Sequence, residues 1–282
     1  AKKDGRNTYH YYDTSLEKAS DDKFKLLQLL RPAINEGQFK LYYQPMINLS
    51  TGKVSTVEAL LRWPQPDGSM IPPDQFIPIA ENSGLINTLG RWVIEEACLY
   101  CAQQRRAGLD ELRVAVNVSV IQFKDGHLHQ IVANALTNAG LPAAGLELEL
   151  TESLLIDETE HIQNQLLALS QLGITIAIDD FGTGYSNLGY LRKFKATTLK
   201  IDRSFITKLS INFNDEPLVN GIINLASSLG LQTVAEGIED EATLNKLVTM
   251  GCTIGQGYYW SKPIPGDELI TFLKLYKQKH QD

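Results

Sequence analysis

The stretch "FKLYYQPMINLSTGKVSTVEALLRW", residues 39–63, contains two apolar, β-rich runs joined by the four residues 50–53. A crossover between parallel strands needs a dozen or more residues, so these two strands must run antiparallel to each other. The stretch therefore predicts that the first strand of the domain is reversed relative to the second.

Six more β-rich runs follow, and helical patterns separate them. The runs cover residues 113–120, 146–153, 174–180, 197–205, 232–239 and 252–260. Helices are predicted over residues 21–36, 86–107, 131–139, 161–172, 217–229 and 241–250, and several end at a glycine, which suits a left-handed C-terminal cap. Strands that alternate with helices favour a parallel sheet. Eight strands predict an α/β fold, a TIM-like (β/α)8 barrel with the first strand antiparallel.

The composition is that of one large globular domain. The chain has 282 residues, 43% of them hydrophobic and 21% charged. A net charge of -7 argues against a basic surface for duplex nucleic acid, whereas a small anionic ligand can still bind through local cations or metal. No run of about 18 apolar residues appears, and the start "AKKDGRNTYHYYD" lacks the apolar segment of a signal peptide. We expect a cytoplasmic domain without a membrane segment, in a parent protein that could itself be membrane-anchored.

The chain has three cysteines, Cys98, Cys101 and Cys252. A small, odd number of cysteines does not suit a disulfide framework and indicates a reducing compartment. Cys98 and Cys101 form a CxxC pair in the middle of a predicted helix, and one pair cannot complete a four-cysteine zinc site. We predict that they are buried neighbours without a redox role.

Polar residues interrupt the apolar strands or follow them directly. In a barrel of this kind the carboxyl ends of the strands form one rim, where active sites are built. A single acid at a strand end is usually a cap or a surface charge, but seven strands place polar groups there. The set is Glu58, Asn117, Glu149, Glu152, Asp179, Asp180, Lys200, Asp202, Glu236 and Gln256.

This set predicts a metal site. Five of its carboxylates would meet with Lys200 as the one evident cation, and two unit charges 4 Å apart repel by about 4 kcal/mol at an effective dielectric of 20. Either several acids are protonated or cations bind. Carboxylate and amide oxygens favour Mg2+ or Mn2+, and two such ions with Lys200 would balance five carboxylates. Two-metal sites, here with Asp179 as a bridge, are suited to displacement at phosphorus, which predicts a metal-dependent phosphoryl hydrolase.

The "GTG" at residues 182–184 follows the two acids and could expose backbone N–H groups to an anion. Asn187 stands at the last glycine position of GxGxxG, and the GK[ST] of a P-loop is missing. We interpret the segment as a loop beside the metals.

The motifs around these residues resemble those of EAL-domain cyclic di-GMP phosphodiesterases. They are "YYQP" at 42–45, "EALLRW" at 58–63, "NVS" at 117–119, "ELTES" at 149–153, "DDFGTGYS" at 179–186, "LKID" at 199–202, "AEGIE" at 235–239 and "GQGY" at 255–258. The resemblance covers about residues 20–280 in order. It departs at 257–263, where "GYYWSKP" carries aromatic residues at positions at which the family often has Leu or Phe.

The resemblance implies hydrolysis of cyclic di-GMP to linear pGpG by a water that two Mg2+ or Mn2+ ions activate, in bacterial second-messenger signalling linked to biofilm and motility. Lys200 would contact the attacking water and help to deprotonate it, with Glu58, Glu236 and Gln256 as further catalytic residues. Glu152 would anchor the loop after the fifth strand. Substrate binding is implied for Gln44, Arg62 and Asp202. The implied metal ligands are Glu58, Asn117, Glu149, Asp179, Asp180 and Glu236.

Residues 1–13 resemble the C-terminal end of a GGDEF diguanylate cyclase domain, which divides the chain into that remnant, a linker at 14–20 and the barrel at 21–282. Upstream GGDEF or sensory domains and a homodimer are the expected partners beside cyclic di-GMP.

Two alternatives remain open. One is a receptor module that binds cyclic di-GMP without turnover. The other is an aldolase-like enzyme in which Lys200 forms a Schiff base, although nearby acids would keep that lysine protonated.

Overall fold

Eight strands of the described chain close into a barrel in the computed structural model, which describes residues 14–155, 159–183, 196–207, 209 and 215–279. Around the ring their order is β1, β9, β8, β7, β6, β5, β4, β2, and β2 pairs again with β1. The eight are β1 Lys40–Asn48, β2 Val54–Pro64, β4 Arg113–Val118, β5 Leu146–Thr151, β6 Thr175–Phe181, β7 Thr198–Ile201, β8 Gln232–Ala235 and β9 Ile254–Gly255. Two short strands, β3 Met70–Ile71 and β10 Ile264–Pro265, extend the ends of β2 and β1.

Strand β1 is antiparallel to both of its ring neighbours, as the turn at residues 50–53 predicts. It pairs with β2 from Lys40 opposite Arg62 to Ile47 opposite Val54, and Ile47 also lies opposite Gly255 of β9. The other neighbouring pairs of the ring are parallel. The predicted barrel with one reversed strand is confirmed.

Helices cover the outside of the barrel, and most predicted helices are found within three residues of their expected ends. They are α1 Thr14–Asn35, α2 Pro73–Ser83, α3 Leu85–Arg106, α4 Val120–Lys124, α5 Leu128–Ala139, α6 Glu152–Leu155, α7 Glu160–Leu172, α8 Arg203–Ile206, α9 Glu216–Ser228, α10 Glu241–Thr249 and α11 Gly266–Lys279, with a 3-10 turn at Ala143–Gly145. Within the described residues no helix is long and apolar enough to cross a membrane.

Several predicted boundaries were wrong. Strand β8 ends at Ala235 instead of residue 239, and β9 ends at Gly255 instead of residue 260. Helix α1 begins at Thr14, whereas the sequence predicted a start at residue 21. The prediction missed residues 14–20 because they are mostly polar and show no apolar period, although their backbone is helical. Strand β7, predicted to run to residue 205, ends at Ile201. The reason is that the Asp202 side chain accepts a hydrogen bond from the Ser204 amide and caps the start of α8. The domain division stays a prediction, and residues 1–13 lie outside the described part.

The main apolar core lies between the strands and the surrounding helices, where Ile94, Val116, Leu148 and Ile178 are fully buried. A second core includes Leu30 and Ala33 of α1 together with the aromatic rings of Phe39, Trp63 and Phe76, and so holds α1 against the barrel. The ring centroids of Phe39 and Trp63 are 5.1 Å apart, and those of Trp63 and Phe76 are 5.6 Å apart.

Inside the barrel the apolar cluster is small and is formed by Met46, Ala115 and Val234. Many other buried positions on the strands are polar, among them Glu58, Glu149 and Lys200. The barrel interior therefore supports a polar site instead of a closed apolar plug.

All three cysteine side chains are buried and none forms a disulfide. Burial raises the pKa of the Cys98 thiol to about 12 and that of Cys101 to about 11. The Cys101 thiol donates to the carbonyl oxygen of Leu112 at 3.3 Å. This geometry confirms the prediction that the CxxC pair is buried within a helix.

We expect the three thiols of the native protein to react slowly with an aromatic disulfide reagent at pH 8. Since burial raises all three pKa values, thiolate, the reactive form, is scarce at this pH. Absorbance of the released thiol should reach three equivalents per chain only after unfolding in guanidinium chloride. Rapid release of one equivalent or more from the native protein would contradict the buried placement.

Candidate functional site

The predicted site residues meet inside the barrel because strand register brings them to similar heights. Gln44 of β1 lies opposite Glu58 of β2, and Asn117 of β4 lies opposite Glu149 of β5. The Lys200 side chain, from β7, is 1% exposed and points into the same space. Backbone pairing therefore sets the geometry of the site before any ligand is considered.

The Lys200 ammonium is the centre of the site. Its Nζ lies 2.8 Å from Glu149 Oε2, 2.7 Å from Glu236 Oε1, 3.3 Å from Asp179 Oδ1 and 3.8 Å from Glu58 Oε1. Four of the five acids expected to surround this lysine therefore lie within 4 Å of it.

One ammonium does not neutralise these four acids. Burial, together with the negative charges of Glu58 and Asp179, raises the pKa of Glu149 well above its usual range. Burial and the neighbouring acids also raise the pKa of Glu236, to about 7. Burial would lower the pKa of Lys200, but the charges of Asp179, Glu149, Glu236 and Glu58 outweigh it and raise this pKa. The lysine is thus held as an ammonium ion, while two acids retain protons more readily than usual.

Glu58 is the acid best supplied with hydrogen-bond donors. Asn117 Nδ2 donates to its Oε1 at 2.6 Å, and Gln256 Nε2 donates to its Oε2 at 2.6 Å. Burial would raise the pKa of Glu58, but Lys200 and these amide donors lower it. Gln256 Nε2 also reaches Gln44 Oε1 at 3.1 Å, and the Gln44 amide donates to the Ser261 carbonyl at 3.0 Å. This amide chain positions a carboxylate that stays ionised.

The donor set fits a divalent cation. Within the described ranges no group of three or more His, Cys, Asp or Glu side chains is placed as a metal site, and four of the acids lie within 4 Å of Lys200 Nζ. However, the buried atoms Glu149 Oε1 and Gln256 Oε1 have no hydrogen-bond partner among the described residues. A buried oxygen without a partner is costly, and hard oxygen ligands suit Mg2+ or Mn2+.

The two adjacent acids of β6 have different environments. Asp179 is buried and contacts Lys200, whereas Asp180 is exposed and has a left-handed backbone with φ of 55°. The Asp180 amide donates to Asp179 Oδ1 at 2.9 Å, and burial together with Asp179 and Asp202 raises the pKa of Asp180. A non-glycine residue in this backbone region is uncommon and occurs preferentially at functional sites.

Glu152 begins α6 and reaches the turn that follows β6. Its Oε2 accepts a hydrogen bond from the Gly182 amide at 3.2 Å. This contact lies at the start of the predicted loop, while residues 184–195 lie outside the described residues. The loop-anchoring role remains a prediction.

Two predicted substrate-binding residues lie away from the centre of the site. Arg62 follows Glu58 on β2, its Nη1 donates to the Leu61 carbonyl at 2.8 Å, and its guanidinium lies over the Tyr42 ring. Burial lowers the pKa of Arg62. Asp202 accepts hydrogen bonds from the Ser204 amide and hydroxyl at the start of α8.

A cavity of about 440 Å³ opens above the acids. Gln44, Glu58, Asp179, Glu236 and Gln256 line it, as the sequence predicts for a common site. Several other lining residues were not singled out from the sequence: Leu60 within β2, Arg203 and Thr207 at the two ends of α8, and Gly237, Glu239 and Tyr258 in the segments after β8 and β9. Their one shared signal is that each lies within a few residues of a predicted site residue.

The family model for the EAL domain matches residues 28–263 of this chain. Among curated proteins, the chain is 40% identical over 270 residues to the bifunctional diguanylate cyclase/cyclic di-GMP phosphodiesterase MucR of Pseudomonas aeruginosa. This match covers 96% of this chain and 39% of MucR. It is 38% identical over 273 residues to the cyclic di-GMP phosphodiesterase NbdA of the same organism, covering 97% of this chain and 35% of NbdA. The chain thus spans less than half the length of either relative.

A solved structure of the MucR phosphodiesterase in complex with c-di-GMP superposes on this chain with a TM-score of 0.84. It is 41% identical, and the match covers 87% of this chain and 99% of the other. The EAL enzyme Bd1971 in its cGMP-bound form gives a TM-score of 0.85 at 32% identity, covering 91% of this chain and 71% of the other. These likenesses agree with the barrel described above.

Replacing Lys200 with Met should destabilise the protein at pH 8 in EDTA by about 3–5 kcal/mol, because it leaves buried acids without their cation. The loss should shrink at pH 5. An acid whose pKa is raised by folding costs stability as pH rises, and without Lys200 that cost grows at pH 8 but is relieved when the acids are protonated. Urea unfolding at the two pH values measures the difference.

Lys246→Met is the matched control. Lys246 forms a partly exposed ion pair with Glu216 at 2.9 Å, and such pairs contribute about 0–1 kcal/mol. Equal effects of the two substitutions at pH 8 would show that the buried acids do not depend on Lys200.

Proposed function

Because the chain belongs to the EAL domain family, we propose that it hydrolyses cyclic di-GMP to linear pGpG with the help of two divalent cations. The observation that carries the proposal is the cluster at the cavity floor, where the Lys200 ammonium lies within 4 Å of Glu58, Glu149, Asp179 and Glu236. The names of relatives that match more than nine-tenths of this chain support the same substrate.

The cations, Mg2+ or Mn2+, would be held by oxygen atoms from neighbouring strands. Glu149 Oε1 is already buried without a partner, and Glu58, Asn117 and Asp179 lie within hydrogen-bonding distance of each other or of Lys200. When bound there, divalent cations supply positive charge that polarises a phosphodiester and an attacking water. The proposed ligands are Glu58, Asn117, Glu149, Asp179, Asp180 and Glu236.

The chain's own residues handle the proton and the water. Lys200, held as an ammonium ion, donates a hydrogen bond to the water and stabilises negative charge as it forms on that oxygen. Glu236 has a pKa near 7, which suits a group that accepts a proton at neutral pH. The water oxygen bonds to phosphorus while one of its protons passes to Glu236, the bond from phosphorus to the 3′ oxygen breaks, and that oxygen takes up a proton from solvent and leaves as a hydroxyl group. Gln256 keeps Glu58 in position during this step.

A charged, ion-paired Lys200 does not favour the aldolase-like alternative. A Schiff base needs a neutral amine, whereas the surrounding acids raise the pKa of this lysine. We therefore assign Lys200 to charge stabilisation.

Further residues would bind the substrate, and other domains would regulate the reaction. Arg62 binds a substrate phosphate, and Gln44 and Asp202 contact the rest of the dinucleotide. Upstream domains in a longer cytoplasmic or membrane-anchored protein, and a homodimer, would control the reaction as part of biofilm and motility signalling. The chain covers 39% of MucR, which leaves room for such domains in a longer protein.

We expect cyclic di-GMP to be converted to pGpG with Mg2+ or Mn2+, and Glu58→Ala to lower the rate by at least about 100-fold. Glu58 is the carboxylate that two amides hold in the ionised form, so its loss removes a ligand that needs no deprotonation. Chromatography of the products across a range of protein concentrations measures conversion and any dependence on dimer formation. The melting temperature controls for folding.

Absence of pGpG with either metal at any protein concentration would reject the enzyme proposal. Tight binding of cyclic di-GMP without single-turnover cleavage would instead identify the chain as a receptor module.

Glu152→Ala should lower the rate about tenfold or more without weakening metal binding, because Glu152 contacts Gly182 and is not among the proposed ligands. Glu152→Gln is the matched control, since its amide oxygen can still accept the Gly182 hydrogen bond. Product formation and calorimetric Mn2+ binding measure the two effects. Full activity of Glu152→Ala would show that this contact does not control the reaction.

A further inference from the structure

Arg203 is the one cation among the described residues that line the cavity. The same lining includes the acids Glu58, Asp179, Glu236 and Glu239. Arg203 is exposed, and its guanidinium forms no hydrogen bond or ion pair with another described residue. A cation that faces a cavity without an internal partner is available to a ligand.

The backbone holds Arg203 at the rim by two independent contacts. Asp202 caps the first turn of α8 through the Ser204 amide, which fixes the residue that follows the strand. Gly237, with φ of 74°, lies against the other side, and a Cβ atom there would be 2.8 Å from the Arg203 Cβ atom. The turns after β7 and β8 thus approach each other so closely at Arg203 that a glycine is required.

The position of Arg203 favours a base over a phosphate as its ligand. The reacting phosphate must lie on the cavity floor beside the acids and Lys200, and both phosphates of a cyclic dinucleotide belong to one small ring. The bases project outward from that ring. Arg203 follows Lys200 by three residues and lies on the exposed side of the cavity, where a base would reach.

Guanine suits an arginine at this point. It presents two acceptors, O6 and N7, on one edge, and the planar guanidinium fork can donate to both at once. Adenine has an amino donor in place of O6, which would oppose the guanidinium. A guanidinium group can only donate hydrogen bonds, so the ligand group that meets Arg203 must present acceptors.

We propose that Arg203 is a specificity-determining residue that reads the O6 and N7 edge of one guanine of the bound dinucleotide. This inference rests on the proposed function, because it takes cyclic di-GMP as the substrate. It adds a residue outside the set that the sequence motifs indicate.

Steady-state kinetics of Arg203→Ala and Arg203→Lys test the proposal. We expect Arg203→Ala to raise KM by about 5- to 150-fold with kcat within about twofold of wild type, since one bidentate contact to guanine is lost. Arg203→Lys should stay closer to the alanine variant, because a point charge cannot replace the fork. Arg91→Ala, which removes an exposed arginine from α3, is the matched control and should leave both constants unchanged.

A substrate analogue with carbon in place of N7 in both guanines identifies the contact. Wild type should bind this analogue several-fold more weakly than cyclic di-GMP, whereas Arg203→Ala should treat the two alike. An unchanged KM in Arg203→Ala, a wild-type KM in Arg203→Lys, or the same preference for N7 in both proteins would overturn the proposal. If wild type cleaves neither compound, the proposed function fails, and calorimetric binding of the same pair then tests Arg203 by itself.

Discussion

The buried contact between Lys200 Nζ and its surrounding carboxylates determines how the rest of the site is arranged. Four acids lie within 4 Å of this atom, so one positive charge faces a larger negative one. The protein meets the excess in two ways: amide donors keep Glu58 ionised, and raised pKa values let Glu149 and Glu236 hold protons. Both responses leave a site that would be stabilised by further positive charge, at the point where a phosphodiester would react.

The reversed first strand is part of this arrangement. Because β1 runs antiparallel between β2 and β9, Gln44 lies opposite Glu58 and close to Gln256. A parallel strand in that place would present its carboxyl end, and not its middle, to the rim. The hairpin at residues 50–53 thus closes the barrel and also supplies the amide chain that positions Glu58.

The sequence was sufficient for the strand pattern and for the residues inside the barrel, since apolar periodicity and polar interruptions are local signals. It predicted that acids would gather around Lys200 but could not show which of them lie in direct contact with it, because that depends on side-chain distances across strands. It also did not show that Asp202 would cap α8. Arg203 escaped notice for the same reason. A lone arginine after a strand is an ordinary surface residue until Gly237, from the next turn, is seen to pack against it.

The charge of the cavity links metal binding to substrate binding in the proposed reaction. Four acids and one arginine line it, so a dinucleotide with two phosphates entering alone would meet net repulsion. Bound divalent cations reverse that sign, and by linkage the dinucleotide must raise the affinity for the cations by the same factor. The proposed contact between Arg203 and guanine would not take part in this coupling between metal and dinucleotide, because the guanine edge is uncharged. Under these proposals, affinity that depends on metal would arise at the floor, whereas the choice of base would arise at the rim.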